Sequence, residues 1–190
     1  LIDGLPLGQT VLETDLPFLR LAPSDRNLTG AEVELVPQER REYRLREALA
    51  QLTEVLDYIH SRGHVHCDVK PSNVLVRETG ELYLLDFGLT NAFGSQGPFQ
   101  GTPGYAAPEQ ILHEHVGPAA DFYAAGIMLF EVLAGRKPFA GSEQQVLLDK
   151  VQFDPPDLST LAPDQPADLV ALCTQWLARD PKRRRPFAAP

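Results

Sequence analysis

Asp68, Lys70, Asn73 and Asp86 are the residues whose types and spacing could do chemistry. They lie in the run His64-Val65-His66-Cys67-Asp68-Val69-Lys70-Pro71-Ser72-Asn73 and, further on, in Asp86-Phe87-Gly88. Lys70 stands two residues after Asp68, so on an extended loop its ammonium points to the same side as the carboxylate. Asn73 carries a neutral oxygen donor and Asp86 an anionic one. Both are hard ligands of the kind that suit Mg²⁺. Any one of these residues alone reads better as a surface side chain in a turn; the ordered set does not. His60, His64, His66 and Cys67 lack the spacing of a zinc site.

The elements that must position this set can be placed from periodicity. Apolar residues at Leu45, Ala48, Leu52, Val55, Leu56 and Ile59 recur at steps of three and four, which predicts a long helix over 40–62, stopped by Gly63. Val74-Leu75-Val76 and Leu82-Tyr83-Leu84-Leu85 read as strands, joined by the turn Arg77–Glu81. Residues 86–105 are glycine-rich and irregular, as a functional loop would be. Residues 119–134 are almost wholly apolar, too short to span a bilayer, and predict a buried helix. Further helices are expected at 143–151 and 166–179, after the proline-rich link 154–166. Residues 1–16 hold two short apolar runs read as strands, and 17–38 read mostly as loop.

Composition narrows the function classes. The 190 residues are 43% hydrophobic and 23% charged, enough for a sizeable core. The net charge of −9 argues against a broad electrostatic grip on nucleic acid. Two cysteines exclude a disulfide framework and, with no leader-like segment, point to the cytoplasm. No apolar run reaches membrane-spanning length. The chain opens on Leu1 rather than Met and ends at Pro190, so a piece of a longer protein is expected.

Taken with Ala107-Pro108-Glu109, the runs around Asp68 and Asp86 resemble the eukaryotic-type serine/threonine protein kinases. That family has an Asn five residues after its catalytic Asp, a downstream Asp-Phe-Gly and an Ala-Pro-Glu, in that order. Here Asp86 follows Asp68 by 18 residues and Glu109 follows Asp86 by 23. The resemblance implies an α+β, protein kinase-like fold, with a mostly helical large lobe over 17–190 and only a remnant of the small β lobe and hinge over 1–16. It implies Asp68 as the group that orients the acceptor hydroxyl, Lys70 as the stabiliser of the moving phosphoryl, and Asn73 and Asp86 as Mg²⁺ ligands. ATP and Mg²⁺ are the implied cofactors and a protein Ser or Thr the implied acceptor. Lys70-Pro71-Ser72-Asn73 and Gly101-Thr102-Pro103-Gly104-Tyr105 match the Ser/Thr form, with Thr102 facing Asp68 and Lys70. Leu75 would lie under the adenine, Leu12 at the back of its pocket, and Glu13 at the hinge.

The resemblance also implies structural roles. Asp121 would accept backbone hydrogen bonds from the catalytic loop, His66 and Phe87 would stack, and Glu109 would pair with Arg184 or Arg185. His113 and His115 read as exposed. The chain has no GxGxxG, and no lysine precedes Lys70. The expected function is therefore ATP- and Mg²⁺-dependent phosphorylation of protein Ser or Thr by a chain that is a partial domain, poor or inactive alone. The alternative is a pseudokinase or scaffold that binds partners without catalysis.

Overall fold

A computed structural model describes residues 12–13, 20–21, 41–77, 79–94, 99–184 and 186. Helix α1 (Arg41–Ser61) is the long amphipathic helix that the periodicity predicts. Its buried stripe is Leu49, Leu52, Val55, Leu56 and Ile59, with Leu45 and Ala48 at the margin. It ends where the Gly63 N–H bonds the His60 carbonyl and Gly63 takes a left-handed φ of 78°.

The three short antiparallel pairings among the described residues were expected only in part. The hairpin of β4 (Val74–Val76) and β5 (Leu82–Leu84) forms as predicted, with Val74 opposite Leu84. β3 (His64–Val65) pairs with β6 (Asn91–Ala92), a strand inside the stretch read as wholly irregular. β1 (Leu12–Glu13) pairs with β2 (Arg20–Leu21), whereas 17–38 read mostly as loop. Two residues between prolines are too few to show an alternating pattern. The first of the two apolar runs expected over 1–16, and all of that segment except Leu12–Glu13, lie outside the described residues.

The helical body follows. α2 (Pro108–Ile111) is a single turn opened by proline. α3 (Ala119–Ala134) is the buried helix, apolar all round because other elements cover every side. It stops at Gly135, φ 69°. α4 (Glu143–Gln152) is capped by the Ser142 hydroxyl, which accepts from the Gln145 N–H at 3.3 Å. α5 (Leu158–Leu161) is capped by Asp157, and α6 (Ala167–Trp176) ends shorter than the expected 179.

One contiguous core joins α1, the β4–β5 hairpin, α3 and α6. Its centre is Trp176, fully buried and stacked on Phe122 with ring centroids 5.8 Å apart. Gly126 makes that approach possible: a Cβ there would sit 2.9 Å from Trp176 Cβ and 3.0 Å from Leu177. Truncating Trp176 to alanine would cost about 3–5 kcal/mol by cavity formation. The α+β class expected from the sequence holds: a helical body carrying two- and three-residue antiparallel strands.

Candidate active site

The site is built on one buried carboxylate. Asp121, 1% exposed on α3, accepts the His66 N–H and the Cys67 N–H, each at 2.9 Å. Its Oδ2 also accepts from His60 Nε2 at 2.8 Å. A carboxylate in so apolar a helix is tolerable only because these donors replace water. The two backbone bonds force the chain to turn, and Cys67 takes φ 68°, the left-handed region that a non-glycine residue enters only under constraint. The turn throws Asp68 toward the mouth of the site.

Asp68, 5% exposed, collects four donors. Oδ1 accepts from the Thr102 N–H at 3.0 Å and the Thr102 hydroxyl at 2.8 Å. Oδ2 accepts from Lys70 Nζ at 2.6 Å and Asn73 Nδ2 at 3.3 Å. Lys70 Nζ also reaches Thr102 Oγ1 at 2.9 Å, and Asn73 Nδ2 reaches the Asp68 carbonyl at 2.8 Å. Asp68, Lys70, Asn73 and Thr102 therefore form one hydrogen-bonded cluster. Charge-assisted bonds of this kind fix geometry as well as adding energy.

Asp86 is held beside Asn73 through its neighbour. The Leu85 N–H bonds the Asn73 carbonyl at 2.8 Å, and the Leu85 carbonyl meets His66 Nε2 at 3.0 Å. Asp86 then takes φ 61° and caps the turn Phe87–Leu89, its Oδ1 accepting from the Gly88 N–H at 3.2 Å. Phe87 packs edge-on to His66, centroids 5.0 Å apart. The backbone bond from Leu85 sets Asn73 and Asp86 close along the fold, and an amide oxygen with a carboxylate is a donor set of the kind that fits Mg²⁺.

Of the residues tied to the adenine, Leu75 lies half-buried on β4 opposite Tyr83. Leu12 and Glu13 have their backbone in β1, but their side chains lie outside what is described. Glu109 pairs with Arg184 at 2.6 Å, both side chains buried. Arg184 also donates to the carbonyls of Ala178, Ala119 and Arg179. Arg185, the alternative partner, lies outside the described residues. His113 and His115 are exposed.

Three contributors escaped the sequence reading. Gly101, φ 131°, would bring a Cβ to 3.1 Å from the Cys67 carbonyl, so only glycine lets Thr102 close on Asp68. Gln110 on α2 donates to the Cys67 carbonyl at 3.1 Å and accepts from the Ala107 N–H at 2.8 Å, bridging the two loops. Lys150 on α4 is buried and bonds three carbonyls of the 103–106 loop. The glycine before Thr102 was the one readable signal among them.

Comparison with known proteins identifies the family. The protein kinase domain profile matches residues 32–189. The chain is 39% identical over 190 residues to the DNA damage-responsive serine/threonine-protein kinase RqkA of Deinococcus radiodurans, covering 96% of this chain and 27% of that protein. It is 32% identical over 186 residues to the serine/threonine-protein kinase PknB of Mycobacterium tuberculosis, covering 92% and 29%. Against PknA of the same species the figures are 35% over 143 residues, 73% and 33%. The chain spans a third or less of the length of these relatives. Among the described residues no helix is long and apolar enough to cross a membrane. The ordered motifs, the wiring of Asp121 and Asp68, and a profile match over most of the chain agree, and the chain belongs to the protein kinase domain family.

Proposed function

We propose that this chain carries the large lobe of a protein serine/threonine kinase over residues 17–190, with the hinge and a remnant of the small lobe over 1–16. The reaction is transfer of the γ-phosphoryl of ATP to a Ser or Thr hydroxyl of a protein, in the cytoplasm. The observation that carries this reading is the cluster in which Lys70, Asn73 and Thr102 all donate to one carboxylate, Asp68. Asp68 accepts and orients the acceptor hydroxyl, and Lys70 lies where negative charge moves between donor and acceptor oxygens. Thr102 holds the carboxylate plane from the acceptor side. Asn73 and Asp86 would hold Mg²⁺, which when bound neutralises phosphate charge. Leu75 offers an apolar floor to the adenine, with Leu12 and Glu13 at its far edge.

The chain supplies neither a glycine-rich phosphate lid nor a lysine ahead of Lys70, so residues 1–190 alone should transfer phosphoryl groups poorly. The test is phosphoryl transfer to a Ser/Thr peptide by the full-length protein and its Asp68→Asn variant. The variant should lose at least about a thousandfold in turnover, as expected when a transition-state contact is removed. Near-normal transfer by Asp68→Asn would overturn the assignment of Asp68, and no transfer by the parent protein would favour the scaffold reading.

A further inference from the structure

Lys150 sits in the last turn of α4, where a lysine ordinarily lies along the surface with its charge in water. Here it is 1% exposed. Its Nζ donates to the carbonyls of Pro103 at 2.9 Å, Gly104 at 2.8 Å and Ala106 at 2.9 Å. An ammonium has three protons, and all three are spent on one four-residue stretch, 103–106. The Thr102 carbonyl is already taken by the N–H groups of Tyr105 and Ala106. The loop is therefore a tight turn wrapped around a buried cation. Its near end is Thr102, whose N–H and hydroxyl hold Asp68.

Two other groups steady the same loop without replacing Lys150. The Tyr105 hydroxyl bonds Glu131 at 3.1 Å, and Lys137 lies over the Tyr105 ring, 4.3 Å from its centroid. A buried ammonium is an expensive way to fill space. A methionine of the same length would fill the space without desolvating a charge, but it would leave the carbonyls of Pro103, Gly104 and Ala106 without their donor. The cation is explained by what it holds.

We propose that Lys150 is a positioning residue for the protein acceptor. From α4 it fixes the 102–106 loop in the shape that presents Thr102 beside Asp68, and so sets affinity for the protein substrate while leaving nucleotide binding unchanged. This rests on the kinase reading above. The device links a helix outside the catalytic loop to the acceptor side of the site through three carbonyls and one hydroxyl.

The test is Lys150→Met in the full-length protein at pH 6.5, with peptide and ATP varied independently. The KM for a Ser/Thr peptide should rise about tenfold, while the KM for ATP stays within about twofold. Amide exchange at Thr102, Tyr105 and Ala106 should quicken about tenfold or more, beyond any change spread over the rest of the chain. An unchanged peptide KM overturns the proposal. So does a parallel loss in both KM values, which marks Lys150 as a fold residue only. Should the parent protein transfer nothing to any peptide, the kinase reading fails by itself. Exchange then still decides the clamp: quicker in Lys150→Met upholds it, unchanged refutes it.

Discussion

The segment 64–73 and the segment 86–94 flank the same site but are built to different standards. In the first, Val65 to Val69 are all buried, Asn73 bonds back within it, and Asp121, Gln110 and Thr102 each bond it from a different element. In the second, Asp86 to Thr90 are half-buried or exposed, and Asn91 to Phe93 are exposed. Among the described residues Asp86 itself has one hydrogen-bond donor, the Gly88 N–H. The contrast separates two tasks. The group proposed to orient a hydroxyl has its freedom removed in advance, while the group proposed to meet a cation keeps its oxygens open. Positive φ values at Cys67 and Asp86 occur in both, but the buried network over-determines only the first.

The largest expected effect breaks the wired segment. Asp121→Ala leaves the His66 and Cys67 N–H groups and the His60 imidazole without their acceptor in the core. The cost should be about 3–5 kcal/mol, enough to remove much of a domain's stability. Asp86→Ala loses one half-exposed bond and a left-handed conformation that aspartate tolerates better than alanine, about 1 kcal/mol. Urea unfolding of both variants measures the difference. Equal losses of stability would erase the distinction between the segments. Phosphoryl transfer should instead fall severely in both, since Asp86→Ala removes the carboxylate proposed to hold Mg²⁺.

How legible the molecule was follows the same line. Asp68, Lys70 and Asn73 lie within six residues, and their side chains meet because the intervening backbone is short. The helices α1, α3 and α4 were readable within one or two residues, because each has a continuous apolar pattern. Thr102 is 34 residues from Asp68, and its place came from resemblance rather than from periodicity. Gly101 and Gln110 matter through contacts with the Cys67 carbonyl, which no local pattern encodes. Lys150 was invisible for a sharper reason: a lysine in a helix's last turn satisfies every local rule for a solvated residue. Only the fold of the 103–106 loop over it turns that position inward.

The next effect concerns that lysine. Burial, together with the charge of Lys137, pulls the Lys150 ammonium down to about 7. The facing groups are Lys137 from the loop after α3 and the Tyr123 ring of α3, 5.5 Å from Nζ. An unfolded lysine keeps its proton to about pH 10.4. Above pH 7 the unfolded chain therefore holds a proton that the folded chain has released, and this group's contribution to stability rises with pH. The buried thiols work the other way, since burial raises Cys67 to about 11 and Cys173 to about 12. They act only once unfolded cysteines begin to ionise near pH 8.5. Between pH 7 and 8.5 the stability of the parent relative to Lys150→Met should grow by about 1–2 kcal/mol. Denaturant unfolding at both pH values measures it. A flat difference would mean that the three carbonyls hold the proton on Lys150 throughout that range.

The smallest effect tests the open segment. In the family, the residue before the catalytic aspartate is an arginine that can bind a phosphate on the loop beyond Asp-Phe-Gly, a charge-assisted contact. Cys67 stands there instead. It is buried, contacts the Val65 carbonyl and the Asn91 amide, and stays a neutral thiol because burial and Asp121 both raise its pKa. A neutral thiol offers a phosphate only a weak donor. Between Leu89 and Ala106 the hydroxyl side chains other than Tyr105 are Thr90, Ser95 and Thr102, and Thr102 is engaged with Asp68. Thr90 Oγ1 is buried without a partner, so it is poorly presented for modification as folded. Ser95 lies outside the described residues. The open segment should therefore need no phosphate to hold its working shape. In the full-length protein, Thr90→Ala/Ser95→Ala should keep activity within about twofold of the parent, less than half a kcal/mol in transition-state terms. A large loss restored by acidic residues at the same positions would show that another cation has taken over the arginine's task, and that the 86–94 segment is ordered by charge as firmly as the catalytic loop is ordered by Asp121.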